Sequence, residues 1–276
     1  MSPGRHWSIG VRTVAVVNQK GGSAKTTTVV SVAGALAERG LSVLVIDLDP
    51  QGSASDWLAS RTNHRGLFDA FLGRRDLASI VIGTSIPGID LVQASPWLVT
   101  AEQTFLGEIG ARAALAMEKL PRRWAFVLID CPPSLSYLSV GALTAVREVI
   151  VPVEAHQIAL PGVAGVVREI DRLRDDLNPR LSAPIVLPCR VSRTVHARLV
   201  IAELQQRYAD VLSATTVRES IRVPEAAAAH APITTFAPAS APSADYRRFA
   251  DELINRHRQS AGARGLVSRW RQLIAR

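Results

Sequence analysis

"NQKGGSAKTTT", residues 18–28, follows the apolar run "TVAVVN" (13–18) and leads into the helix-like stretch "TTTVVSVAGALAERG" (26–40). A glycine-bearing loop between a strand and a helix can turn successive backbone N–H groups inward. The helix N-terminus adds favourable potential, so the segment reads as a phosphate cradle built from Gly21, Gly22, Ser23, Ala24, Lys25, Thr26 and Thr27. Lys20 and Lys25 are two of only three lysines among the 32 Lys and Arg residues; the third is Lys119. Lys25 offers a compact ammonium for β/γ-phosphates, and Thr26 a hydroxyl that can ligate Mg²⁺. An arginine fork is planar and bulkier, so a chain that otherwise writes positive charge as arginine keeps lysine where a phosphate must be reached.

Outward from this loop, Val/Ile/Leu-rich runs recur at 42–47, 89–94, 125–130, 148–153 and 183–189, with helix-like stretches between most of them. Near-continuous apolar strands alternating with helices predict an α/β fold: a doubly wound, mostly parallel sheet with helices on both faces. The expected organisation is one P-loop domain in residues 1–258, its pattern starting near residue 8, then a basic amphipathic extension over 259–276. Residues 224–246, "PEAAAAHAPITTFAPASAPSADY", read by composition as a Pro/Ala linker before a helix, "DYRRFADELINRHRQS".

Apolar content of 47% with 20% charged residues argues against global disorder and sets the chain among ordinary globular proteins. No signal peptide or membrane-spanning stretch is evident, and Cys131 and Cys189 lack metal or disulfide spacing, so the expectation is a cytosolic protein with packing thiols. The net charge of +8 is uneven: residues 246–276 carry eight arginines against Asp251 and Glu252. Such an end suits nucleic acid, an anionic membrane surface, or nothing but solvent. In "GLVSRWRQLIAR", Leu266, Val267, Trp270, Leu273 and Ile274 recur at helical spacing, a pattern open to membrane contact or to docking on protein.

Ligands in doubly wound sheets sit at the carboxyl ends of strands, so acids closing strands belong near the loop. "VLVIDLDPQGSAS" ends in Asp47 and Asp49, and "AFVLIDCPPS" closes in Asp130 as a Walker B strand does. Hydrolysis of MgATP needs carboxylate near the ion or its waters and a group to orient the attacking water.

"KGGSAKTT" resembles the deviant Walker A, K-G-G-x-G-K-[ST]-[ST], of the ParA/MinD family of ATPases, and "DLDPQGS" resembles that family's D-x-D-P-Q-G-[NS]. Ala24 stands where the family has glycine, which bears on nucleotide affinity and turnover and leaves open a weakly hydrolysing switch. The likeness runs from about residue 11 to 257 and is nearest to chromosomal partition ATPases. It implies ATP and Mg²⁺ as ligands, and a homodimer in which Lys20 reaches the partner's phosphates. Lys25 and Asp49 then serve catalysis; Thr26 and Asp130, helped by Asp47, hold the metal; and Gln51 is either a switch residue or a polar turn residue. It further implies non-specific DNA binding through Arg193 and Arg222, a ParB-like activating partner, and a nucleoid-associated cytoplasmic protein. Arg218 occupies the position of the family's I-P-R arginine near the adenine, without the proline. The alternative from the same family is a MinD-like positioning ATPase held to membrane by its C-terminal helix.

Overall fold

The computed structural model describes residues 11–59, 64–105, 107–133, 136–155 and 160–256. The amphipathic pattern at 259–276 lies outside them. Seven strands are present among the described residues: β1 (Arg12–Val16), β2 (Val43–Asp47), β3 (Ile82–Gly83), β4 (Ile89–Val92), β5 (Phe126–Asp130), β6 (Glu148–Glu154) and β7 (Ile185–Cys189). They form one sheet in the order β3-β4-β2-β5-β1-β6-β7, parallel throughout except for the antiparallel edge strand β3. The doubly wound expectation therefore holds. Burial explains the continuous apolar runs: every residue of β2, β5 and β7 is buried, so neither face alternates with polar side chains.

The helices divide between the two faces. On one lie α3 (Gly66–Phe71), α4 (Leu98–Phe105), α5 (Gly107–Glu118), α6 (Tyr137–Ala145), α7 (Leu160–Asp176) and α8 (Val195–Tyr208). The other carries α1 (Lys25–Ala37), α2 (Ser53–Leu58), α9 (Arg222–Ala228), α10 (Ile233–Phe236) and a last helix, α11, over residues 241–256. Strand parity decides what faces α1: Val43, Val45, Phe126 and Leu128 pack on its side, so Asp47 and Asp130, two residues on, point there too. These acids are register partners on adjacent strands, which puts both carboxylates under the start of α1.

The linker expected at 224–246 is instead part of the core. Ala226, Ile233, Thr234, Ser243, Asp245 and Tyr246 are each at most 1% exposed. A Cβ added at Gly34 of α1 would lie 2.6 Å from both Pro232 Cβ and Thr234 Oγ1, so the segment presses directly on that helix. Small residues permit this approach, and alanine is the strongest helix former, which is why a composition that resembles a linker folds as three short helical pieces. The last helix accordingly begins at residue 241 rather than 245.

Candidate active site

The loop between β1 and α1 is built by local polar bonds. Asn18 Nδ2 donates to the Pro152 carbonyl at 2.7 Å, and its Oδ1 accepts the Lys20 N–H at 3.1 Å. Gly22 has φ +74, and Ala24, the N-cap of α1, lies in the left-handed region at φ 63, ψ 24. That conformation costs a Cβ-bearing residue about 1–2 kcal/mol and explains why glycine is usual there. The side chain of Lys25, the first helical residue, is 93% buried and its Nζ donates to the Lys20 carbonyl at 3.3 Å. Burial lowers its pKa, while the charges of Asp130 and Asp49 work against that shift.

Beneath the loop, Thr26 Oγ1 donates to Asp130 Oδ2 at 2.7 Å. Asp130 is fully buried and its Oδ1 has no hydrogen-bond partner. Its pKa is raised by burial first and by Asp47 next. Asp47 lies in a closed nest: Oδ2 accepts the Ser55 N–H and hydroxyl, each at 2.7 Å, and Oδ1 accepts the Asp49 N–H at 3.2 Å. Burial outweighs these donors and pushes Asp47 up to about 7. Asp49 faces the cavity, and its Oδ1 accepts the Gln51 N–H at 2.9 Å.

An open cavity of about 530 Å³ runs over the loop from Gly21 to Thr27, past Asp49, to Trp57 and His230 on the far wall. Trp57 Nε1 donates to the Ala231 carbonyl at 2.9 Å, and His230 Nδ1 lies 2.6 Å from the Asp56 carbonyl oxygen. This wall comes from α2 and the α9–α10 turn, which the sequence did not mark.

The oxygen donor set suits Mg²⁺, a hard cation held by one or two carboxylates together with phosphate oxygens and water. The orphaned Asp130 Oδ1 beside the Thr26 hydroxyl is the observation that fits such an ion. Among the described residues no three His, Cys, Asp or Glu side chains group to hold a metal alone, so phosphate would have to complete the shell.

The structure thus gathers Gly21 to Thr27 and Asp49 around one cavity, with Asp47 and Asp130 behind it. Lys20 projects elsewhere, its Nζ 3.6 Å from Glu154 Oε2 at the end of β6. Glu154 closes a strand as Asp130 does, and that placement was the signal that could have found it. Arg218 is not in the cavity lining; its Nε and Nη2 bind Asp245 at 2.8 and 2.7 Å and hold α11. Arg193 and Arg222 are exposed, and Arg222 pairs with Glu225 at 2.9 Å.

A family model described as an AAA domain matches residues 11–183. The chain is 35% identical over 255 residues to the chromosome partitioning protein ParA of Caulobacter vibrioides, covering 90% of this chain and 96% of the relative. To the chromosome-partitioning ATPase Soj of Thermus thermophilus it is 38% identical over 247 residues, covering 89% and 96%. A cobyrinic acid a,c-diamide synthase of Mycobacterium smegmatis, solved with an ATP analogue and magnesium, superposes with a TM-score of 0.78 at 32% identity, covering 91% of this chain and 96% of that one. The cell division ATPase MinD of Pyrococcus furiosus shares the fold with a TM-score of 0.73 at 19% identity, over 88% and 98%. Relatives above 30% identity that span nine-tenths of both chains, around a loop of this geometry, place the chain in the ParA/MinD family of P-loop ATPases.

Proposed function

We propose that this chain is a ParA-like partition ATPase that binds ATP with Mg²⁺ and closes into a homodimer. In that state it holds DNA without sequence preference through Arg193 and Arg222, and it releases DNA when a ParB-like partner stimulates hydrolysis. The observation that carries the reading is the Thr26–Asp130 hydrogen bond beneath a phosphate-sized loop, with the buried ammonium of Lys25 beside it.

Each residue then has a task. The backbone from Gly21 to Thr27 faces the phosphates, and Lys25 exchanges the Lys20 carbonyl for a phosphate oxygen. Thr26 and Asp130 would hold the metal, with Asp47 keeping the neighbouring turn in place through Ser55. When bound, Mg²⁺ would supply charge neutralisation of the phosphates. Asp49 orients the attacking water as the bond from the γ-phosphorus to the bridging oxygen breaks, and Lys20 leaves Glu154 for the partner's phosphates. Arg218 ties α11 through Asp245 and, by its motif position, flanks the adenine.

The likeness to a diamide synthase raises amidation as a rival. Both cysteines are buried with their thiols pushed up, Cys189 to about 12, so neither supplies a thiolate for releasing ammonia from an amide donor. Retention of duplex DNA with ATP, ADP and no nucleotide tests the proposal, together with ATP turnover in the absence of any carboxylate or amine co-substrate. Retention with ATP alone is expected, and Arg193→Glu with Arg222→Glu should abolish it. At wild-type sequence each arginine contact contributes about one to the salt slope. Equal retention in all three states, or no turnover without a co-substrate, overturns the reading.

A further inference from the structure

On the face of the sheet opposite α1, a concavity of about 380 Å³ opens between the end of α3, the 3-10 turn Leu77–Ile80 and α5. Its lining from α5 is Arg112, Leu115 and Ala116, spaced i, i+3 and i+4, and Lys119 follows in the turn just past the end of the helix. Ile109, Ala113 and Met117 on the other side of α5 are buried in the core, so this lining is a second, outward face. Phe71 and Leu77, 2% and 4% exposed, form the floor, while Leu115 stands 57% exposed at the rim. Three cations line the groove, Arg75, Arg112 and Lys119, against Asp76 in the lining and Glu108, which takes Arg112 Nη2 at 3.2 Å one turn back on α5, so the positive excess rests on Arg75 and Lys119. Lys119 is the one lysine of the chain outside the phosphate loop.

We propose that this groove docks an acidic amphipathic helix of a partner protein. The combination sets the chemistry: an apolar floor with an exposed leucine takes an apolar ridge, and cations at both ends of a lining about 10 Å long take acids one or two turns apart. A helix fits better than an extended segment, because α3, the 3-10 turn and α5 offer no open sheet edge to pair with. The chain's own end carries the wrong sign, with eight arginines and two acids over residues 246–276. The cationic lining of the groove likewise disfavours the same groove of a second copy. Phosphodiester backbone would gain nothing from Phe71, Leu77 and Leu115. The groove is separated from the nucleotide cavity by the sheet, so the inference stands apart from the partition reading.

The test uses the full chain and two synthetic helical peptides followed by fluorescence anisotropy. One carries Glu at i and i+7 around Leu at i+3 and i+4; the other has Lys in place of both Glu. Saturable binding of the acidic peptide alone is expected. Lys119→Glu should weaken it about tenfold, and Arg112→Glu with Lys119→Glu should transfer preference to the Lys peptide. Leu115→Ser should weaken the acidic peptide without altering that preference; both side chains are on the surface, and circular dichroism of each variant checks that the fold is kept. Equal binding of both peptides, no saturable binding below ~1 mM, or displacement of the peptide by duplex DNA overturns the proposal.

Discussion

Glu154→Gln tests whether Lys20 must be released before the chain can dimerise on nucleotide. In the free chain the Lys20 ammonium lies 3.6 Å from Glu154 Oε2, and the same carboxylate takes Arg190 Nη1 on Oε1 at 2.7 Å. Lys20 is 54% exposed, so solvent screens the contact and its worth is that of a surface pair, about 0.2–1 kcal/mol. The proposed dimer, in which each Lys20 leaves its Glu154, would break two such contacts, and because Arg190 competes for the carboxylate the lower half of that range applies. The sum is then about 0.4–1.2 kcal/mol, which is a gain of about two- to eightfold in the dimer association constant when the charge is removed. Glutamine keeps the length and a carbonyl acceptor for Arg190, which sits at φ 51 and has Glu219 3.7 Å away as a second partner. Sedimentation equilibrium with Mg²⁺ and a slowly hydrolysed ATP analogue reads the constant directly. In a Lys20→Ala background the gain should vanish, which closes a double-mutant cycle. An unchanged constant would show that the contact does not restrain Lys20. A weaker dimer would show that Glu154 serves the dimer itself.

Other consequences are more local. Gly141→Ala sets a Cβ against the Gly110 carbonyl oxygen, a backbone atom that cannot swing aside, and should force α5 from α6 at a cost of about 1–3 kcal/mol, read as a lower urea midpoint with m unchanged. Ala24→Gly relieves the left-handed strain at the loop; after the added chain entropy of glycine, the net gain is at most about 1 kcal/mol, and scanning calorimetry should show Tm raised by no more than about 4 °C. A lowered Tm would mean that the Ala24 methyl packs better than its backbone is strained. Asp47 has a folded pKa raised by burial to about 7 from 3.8, so its stabilising contribution is complete below 3.8 and disappears as pH rises through about 7. Urea titrations of metal-free, nucleotide-free protein should therefore show stability falling between pH 5.5 and 8, and a rise over that window would contradict the burial of this carboxyl.

Most of the sheet was legible because a parallel strand buried on both faces has nowhere to place polar side chains. The edge strand β3 is two exposed residues, Ile82 and Gly83, and left no such trace. Strand-end acids were legible for the same reason, since they interrupt an apolar run at its ligand end. What separates Asp47 from Asp49 came only from the resemblance, because its physical cause depends on the chain turning at Gly52, φ +71, so that Ser55 returns to cap the first and leave the second facing the cavity. Arg218 was read by motif position, yet its partner Asp245 is 27 residues away and fully buried, a pairing no local pattern encodes. The segment at 224–246 was misread because its complement, the bare surface at Gly34, lies nearly two hundred residues earlier.

That complement gives α1 a double attachment. Its first turn forms the phosphate loop's floor, with Thr26 on Asp130, while the side chain of Thr28 meets Tyr246 Oη at 3.4 Å and Cys189 Sγ at 3.9 Å. The far end is clamped by the last helix: Arg247 reaches Glu38 at 2.7 and 2.8 Å, and Arg39 reaches Asp251 at 2.6 Å. These end pairs are exposed and individually weak, but the Gly34 contact and the buried Tyr246 set the depth at which α1 lies on the sheet. The 2.7 Å bond between Thr26 and Asp130 tolerates little change in that depth. A nucleotide loop at one end of the chain is therefore held at working distance from its carboxylate by residues near the other end.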